Sequence, residues 1–186
     1  MTEKLTLRTV LKVLSEIPFE KIVEFASAID DLWYNGNGRV FLCGNGGSAS
    51  TVSHFASDLV TLGVNAICLN DNVSLVTAFT NDFGWNRVYE EQLVCYQAGA
   101  GDILIVASVH GGKGRALGEE WSQNLVRACH YAKYHGLKVL ALLGGDGGVI
   151  KNLADVSIIV PHSHPYVVEG CHSVITHLVC AVLRRI

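Results

Sequence analysis

The sequence predicts an α/β fold: a three-layer α/β/α sandwich around a five-stranded parallel sheet, preceded by a helical segment. Two observations predict it. Short, continuous apolar runs alternate with stretches that are apolar at helical spacing, the pattern of strands buried on both faces. Glycine-rich loops at 44–48, 108–114 and 144–148 each follow such a run. In a parallel sheet, loops of that kind share the edge beyond the carboxyl ends of the strands, where ligands bind.

The elements follow in order. Residues 6–14 and 19–35 are apolar at helical spacing, with Pro18 as a break or first-turn residue between them. Val40-Phe41-Leu42-Cys43 is the first strand; it runs into Gly44-Asn45-Gly46-Gly47-Ser48 and then a helix over 49–62. Residues 66–69 form the second strand, followed by helical segments over 73–80 and 85–97. Residues 102–107 form the third strand, with a helix over 122–135. Residues 138–143 and 156–160 complete the sheet, and 167–184 is the closing helix. The chain reads as one domain over 1–186, with the N-terminal helices in 1–36.

Composition narrows the function classes. The chain has 186 residues, 49% hydrophobic and 17% charged, with a net charge of −3, which suits one compact core and excludes a disordered chain. No basic stripe is present, which argues against a duplex nucleic-acid binder. The N-terminus mixes charges among its apolar residues, unlike a secretory signal. No stretch comes near the ~18 uncharged apolar residues of a spanning helix, so a cytoplasmic protein is expected. The six cysteines have no C-x-x-C spacing and read as buried thiols of a reducing compartment.

Two features carry chemistry. The 44–48 turn lets backbone amides approach a ligand, and the helix behind it offers unpaired N–H groups to an anion or a polar sugar. An ordinary β–α turn needs the same glycines. The loop lacks the G-K-[ST] ending of a P-loop, and Ala49 takes the third glycine of a dinucleotide fingerprint, which leaves a nicotinamide enzyme only as a remote reading. The second feature is a pair of helix faces. His54 and Asp58 lie four apart on one helix, and Glu169 and His177 lie eight apart on another. Together they offer four N/O ligands of the kind that Zn²⁺ and other first-row divalent ions accept.

Gly44-Asn45-Gly46-Gly47-Ser48, His54-Phe55-Ala56, Asn81-Asp82-Phe83-Gly84, Asp146-Gly147-Gly148, Ala154-Asp155 and Pro161-His162 occur in an order and spacing that resembles the phosphoheptose isomerases, which have the sugar isomerase (SIS) fold, a flavodoxin-like sandwich. The likeness covers nearly the whole chain. It implies interconversion of sedoheptulose 7-phosphate and D-glycero-D-manno-heptose 7-phosphate through an enediolate, a bound Zn²⁺, and a homotetramer with active sites near subunit interfaces and helices 1–36 packed between subunits. It implies metal ligands at His54, Asp58, Glu169 and His177. Substrate contacts fall on Asn45, Gly46, Gly47, Asn81 and Asp82, and phosphate contacts on Ser48, Ser108, Val109, His110 and Ser122. Asp58 is expected as the base and His177 as its acid/base partner, with Glu169 competing for the base role.

The chain departs from that family at several places. Asp58 replaces a glutamate and Glu169 a glutamine. The serine/threonine-rich phosphate loop becomes Ser108-Val109-His110-Gly111, followed by an insertion up to Ser122. The insertion, 111–121, reads as a lid in which Lys113 or Arg115 meets the phosphate and Trp121 packs it down. The alternatives are an isomerase of another ketose phosphate, a sugar-phosphate-binding module, and a non-catalytic SIS scaffold of the kind that binds a replication initiator.

Overall fold

Apolar runs too short to pay for a helix become strands here, and the glycine turns after them send the chain back as helices. The computed structural model describes residues 5–35, 38–113, 115–116 and 119–185. Two helices lead, α1 (Leu7–Ser15) and α2 (Phe19–Asn35). Then come β1 (Val40–Gly44), α3 (Gly47–Thr61), β2 (Ala66–Cys68) and α4 (Val73–Phe83). A 3-10 turn (Trp85–Arg87) enters α5 (Val88–Cys95), and β3 (Ile103–Ser108) follows. A hairpin of β4 (Arg115–Ala116) and β5 (Glu119–Glu120) precedes α6 (Gln123–Tyr134). β6 (Lys138–Gly144), β7 (Val156–Val160) and α7 (Pro165–Leu183) complete the chain.

The main sheet has the order β2-β1-β3-β6-β7, and every pairing in it is parallel. Without the hairpin this is the doubly wound order whose direction reverses between β1 and β3. A crevice therefore opens beyond the ends of those two strands, at Gly44 and Ser108.

Alternate strand residues feed two cores. Val40, Leu42, Ile103, Ile105, Leu140 and Leu142 pack against α2, α3 and α7 through Phe25, Ile29, Phe55, Ile175 and Val179. Phe41, Leu104, Val106, Val139 and Leu143 pack on the other face against Val88, Leu93, Leu125 and Cys129. The edge strand β7 alternates buried and half-buried residues, since one of its sides lacks a neighbour. At the opposite end of the strands, Asp102 accepts from the Arg39 backbone N–H at 2.8 Å and from its guanidinium at 2.7 Å, which ties the start of β1 to β3. Burial alone would raise the Asp102 pKa; its bonds to Arg39 outweigh that and hold it low.

Of the cysteines, Cys95 alone is exposed, and all six are free thiols. The helix α7 differs from the sequence expectation. Its 19 residues, at a mean hydropathy of 1.5, are long and apolar enough to cross a membrane on length and composition alone. Half of that stretch is buried within the chain, where it serves as the wall of one core.

His172 on α7 is fully buried and donates from Nε2 to the Leu143 carbonyl at 3.2 Å, while its Nδ1 has no partner among the described residues. Burial, opposed in part by that hydrogen bond, pushes its pKa down to about 4. The folded chain thus holds a neutral imidazole that the unfolded chain protonates below about pH 6.5. Its contribution to stability is complete above that pH and drains away as the pH falls toward 4. Urea denaturation should show up to about 3 kcal/mol of stability lost across this window, and His172→Gln should lack that part of the loss.

Candidate active site

The site begins at the carboxyl end of β1. Gly46 has φ 57° and ψ −128°, a conformation that needs glycine, and it caps α3 without a side-chain bond. One side chain clamps the turn before it. Asn70 accepts from the Gly44 N–H at 3.1 Å and donates to the Gly44 carbonyl at 2.9 Å. The buried Tyr89 hydroxyl donates to the same carbonyl at 2.8 Å and accepts from Asn70 at 2.7 Å. Burial raises the Tyr89 phenol above its ordinary pKa, so it stays a donor. Next to it, Asn45 and the fully buried Asn124 exchange two amide hydrogen bonds of 2.9 Å, which fixes Asn45 toward α6.

Two cavities flank this turn. The smaller, about 310 Å³, is lined by Asn45, Ser48, Ser108, Val109, His110 and Ser122, with Trp85 and Trp121 on its walls. Ser108 accepts from the Gly111 N–H at 3.0 Å. Ser122 takes a left-handed conformation (φ 54°) at the start of α6 and makes no capping bond, which leaves its hydroxyl and the helix terminus to the cavity. The His110 and Trp121 rings lie 4.5 Å apart at 33°. The structure thus gathers the predicted phosphate residues on one wall. It also places Trp121 there, with its ring beside that of His110.

Against the lid reading, Lys113 pairs with Asp146 on the neighbouring glycine loop and is not among the residues lining the cavity. Gly114 and residues 117–118 lie outside the described residues, as does the Arg115 side chain. Asn81 and Asp82 sit exposed in the last turn of α4, bonded to each other at 2.8 Å, and line neither cavity within this chain.

The larger cavity, about 430 Å³, opens between α3 and α7 and is lined by Gly47, His54, Tyr166, Glu169, Ser173 and His177 among others. The Nε2 atoms of His54 and His177 lie 3.5 Å apart. Asp58 Oδ2 is 3.4 Å from the first and 3.8 Å from the second. These three donors lie within 4.8 Å of one another, the spacing of a group that could hold one metal ion. Glu169, the fourth predicted ligand, is outside that set. Its carboxylate lies against Gly47, where a side chain on the glycine would collide with it.

With this geometry in view, comparison with known proteins is specific. The family model for the SIS domain matches residues 6–144, which span the glycine turn and the hydroxyl-lined loop. A phosphoheptose isomerase of Chlorobium limicola is 36% identical over 89% of this chain and 76% of its own length. The chain belongs to the phosphoheptose isomerase family of SIS domains. A lincomycin biosynthesis protein, LmbN of Streptomyces lincolnensis, is 41% identical over 83% of this chain, which spans only 58% of that longer protein. The solved phosphoheptose isomerase GmhA of Neisseria gonorrhoeae superposes with a TM-score of 0.85 at 29% identity, covering 96% of this chain and 92% of that one. The SIS match ends before α7, so Glu169 and His177 join the site from outside the matched segment.

Asn70, Tyr89 and Asn124 are the supporting residues that sequence reasoning missed. Polar residues amid the apolar periodicity of α5 and α6 were the available signal for Tyr89 and Asn124. Removing the Tyr89 hydroxyl leaves buried polar groups short of a partner. Tyr89→Phe should therefore cost about 1–2 kcal/mol in urea denaturation with unchanged far-UV circular dichroism, and Asn70→Ala should cost more.

Proposed function

We propose that this chain is an aldose–ketose isomerase of phosphorylated sugars, converting sedoheptulose 7-phosphate to D-glycero-D-manno-heptose 7-phosphate. The observation that carries this reading is the pairing of two cavities about one glycine turn, hydroxyl-lined on one side and bearing His54, Asp58 and His177 on the other. The phosphate enters the smaller cavity, held by Ser48, Ser108, Ser122 and the N-terminus of α6. Asn45, fixed by Asn124, orients a sugar hydroxyl from the Gly46-Gly47 turn. The reacting carbons then extend past Gly47 toward α7.

Two imidazoles and a carboxylate at this spacing fit a divalent first-row ion, Zn²⁺ above all, with His54, Asp58 and His177 as its ligands. When bound, such an ion supplies Lewis-acid stabilisation to an enediolate oxygen. The chain's own residues exclude water, position the sugar and move a proton between adjacent carbons. A scaffold without chemistry has no need of this donor set, which weighs against that alternative.

Assembly into a homotetramer agrees with the apolar surface of the first two helices. Leu7 is 74% exposed, Leu11 57% and Phe19 56%. An apolar groove of about 200 Å³, lined by Leu14, Ile17, Ile22, Val174 and Leu178, runs beside them between α2 and α7. A cytoplasmic location suits the sugar-phosphate substrate and the free thiols.

A second reading, the isomerisation of another ketose phosphate, is favoured by His110 and Trp121, which narrow the smaller cavity with aromatic surface. A substrate panel in deuterated water separates the two readings. Sedoheptulose 7-phosphate should acquire deuterium beside its carbonyl and yield the aldose. His54→Ala should lose bound metal and slow the exchange at least about a hundredfold. Exchange with a different ketose phosphate alone would establish the second reading, and no exchange with any of them would refute both.

A further inference from the structure

We propose that Glu169, and not Asp58, is the carboxylate that carries the proton between the two sugar carbons; the proposal rests on the isomerase reading above. Three observations lead to it. Asp58 lies between two imidazoles, 3.4 Å from His54 Nε2 and 3.8 Å from His177 Nε2, and does not line the larger cavity. An aspartate in that position is committed to the donor set, and a carboxylate whose lone pairs are taken up there is a poor proton acceptor. Glu169, by contrast, is the one carboxylate among the residues lining that cavity. Its backbone carbonyl accepts from Ser173 at 3.2 Å, but no described residue donates to its carboxylate. Its lone pairs are therefore available.

The third observation is the position of that carboxylate. It rests on Gly47, with which a larger residue would clash, while the space above Gly46 is open. A sugar that lies along the turn with its phosphate in the smaller cavity passes Gly46 and meets Glu169 at Gly47. The longer arm of glutamate, projecting from α7 across to α3, reaches where the shorter Asp58 does not.

The step balances with no further reactant. The C1 proton of the ketose moves to a Glu169 oxygen, and the C1–H electron pair becomes the C1–C2 double bond as the carbonyl pair moves onto O2. The O1 proton then passes to O2. Glu169 returns its proton to C2, the double-bond pair forms the new C2–H bond, and O1 closes the aldehyde. One carboxylate on one face of the sugar serves both transfers.

The test uses the full chain loaded with Zn²⁺ and two readouts: bound metal by elemental analysis, and deuterium incorporation from deuterated water into whichever ketose phosphate the wild type exchanges. Glu169→Gln, nearly isosteric, should keep wild-type metal content while its exchange falls about a thousandfold. Asp58→Asn should lose metal. Gly47→Ala, which pushes the Glu169 carboxylate aside, should lower kcat at unchanged metal content; it answers the question independently should Glu169→Gln fold poorly. Full exchange by Glu169→Gln, or loss of metal from it, overturns the proposal while leaving the isomerase reading intact. A wild type that exchanges no ketose phosphate overturns the isomerase reading and this assignment with it.

Discussion

Both polar groups of the Gly44 peptide are held by a single amide, that of Asn70, with the Tyr89 hydroxyl bracing the carbonyl from behind. The rest of the site depends on this contact. β1 pairs with β3 up to Gly44, but on its other side the ladder with β2 ends at Leu42, and a glycine turn left free on that side would sample many conformations. Asn70 extends the ladder by imitating the next peptide. The clamp also determines where α3 begins, and α3 carries Ser48 into one cavity and His54 into the other. Freezing the turn before a ligand arrives removes an ordering cost that binding would otherwise bear.

The packing of α3 against α7 supplies the second half of the site. The Thr51 and Ser173 hydroxyls meet at 3.4 Å across that seam, and small residues let the two helices approach. One consequence is that imidazoles 123 positions apart in the chain face each other edge to face, with centroids 5.2 Å apart. Holding two imidazoles and a carboxylate this close without an ion brings little benefit to the fold, for the histidine side chains are 63% and 60% exposed. The cluster makes physical sense chiefly as a binding site.

The fold was legible in the sequence because each element obeys a local rule. The five strands of the main sheet lie within a residue of the apolar runs that announced them, whereas no such run announced the short β4–β5 hairpin, and Pro18 separates α1 from α2. The differences are local too. α4 continues to Phe83, and the segment after it opens with a 3-10 turn before α5, a boundary that periodicity does not resolve. The site was legible only in part. His54 and Asp58 were visible because four residues make one helical turn. The Asn45–Asn124 pair joins positions 79 apart, and no period links them. Lys113 illustrates the converse: a cation in a glycine loop suggests an anion ligand, yet Asp146 from the adjacent loop claims it.

That pairing bears on how the smaller cavity handles charge. With Lys113 engaged elsewhere, no lysine or arginine is among the described residues that line the cavity. The groups it offers are hydroxyls, the N-terminus of α6 and the His110 imidazole. Such donors are directional and short-ranged, whereas a lysine would attract any anion from a distance. Ser48, Ser108 and Ser122 share this cavity with Asn45 and with the rings of Trp85 and Trp121, so its lining combines short-ranged polar groups with aromatic surface. Gly111 packs closely on the Gly147 backbone, so the loops that follow β3 and β6 abut at their glycines. Much of the lining of this cavity is thus set at the carboxyl ends of β1 and β3.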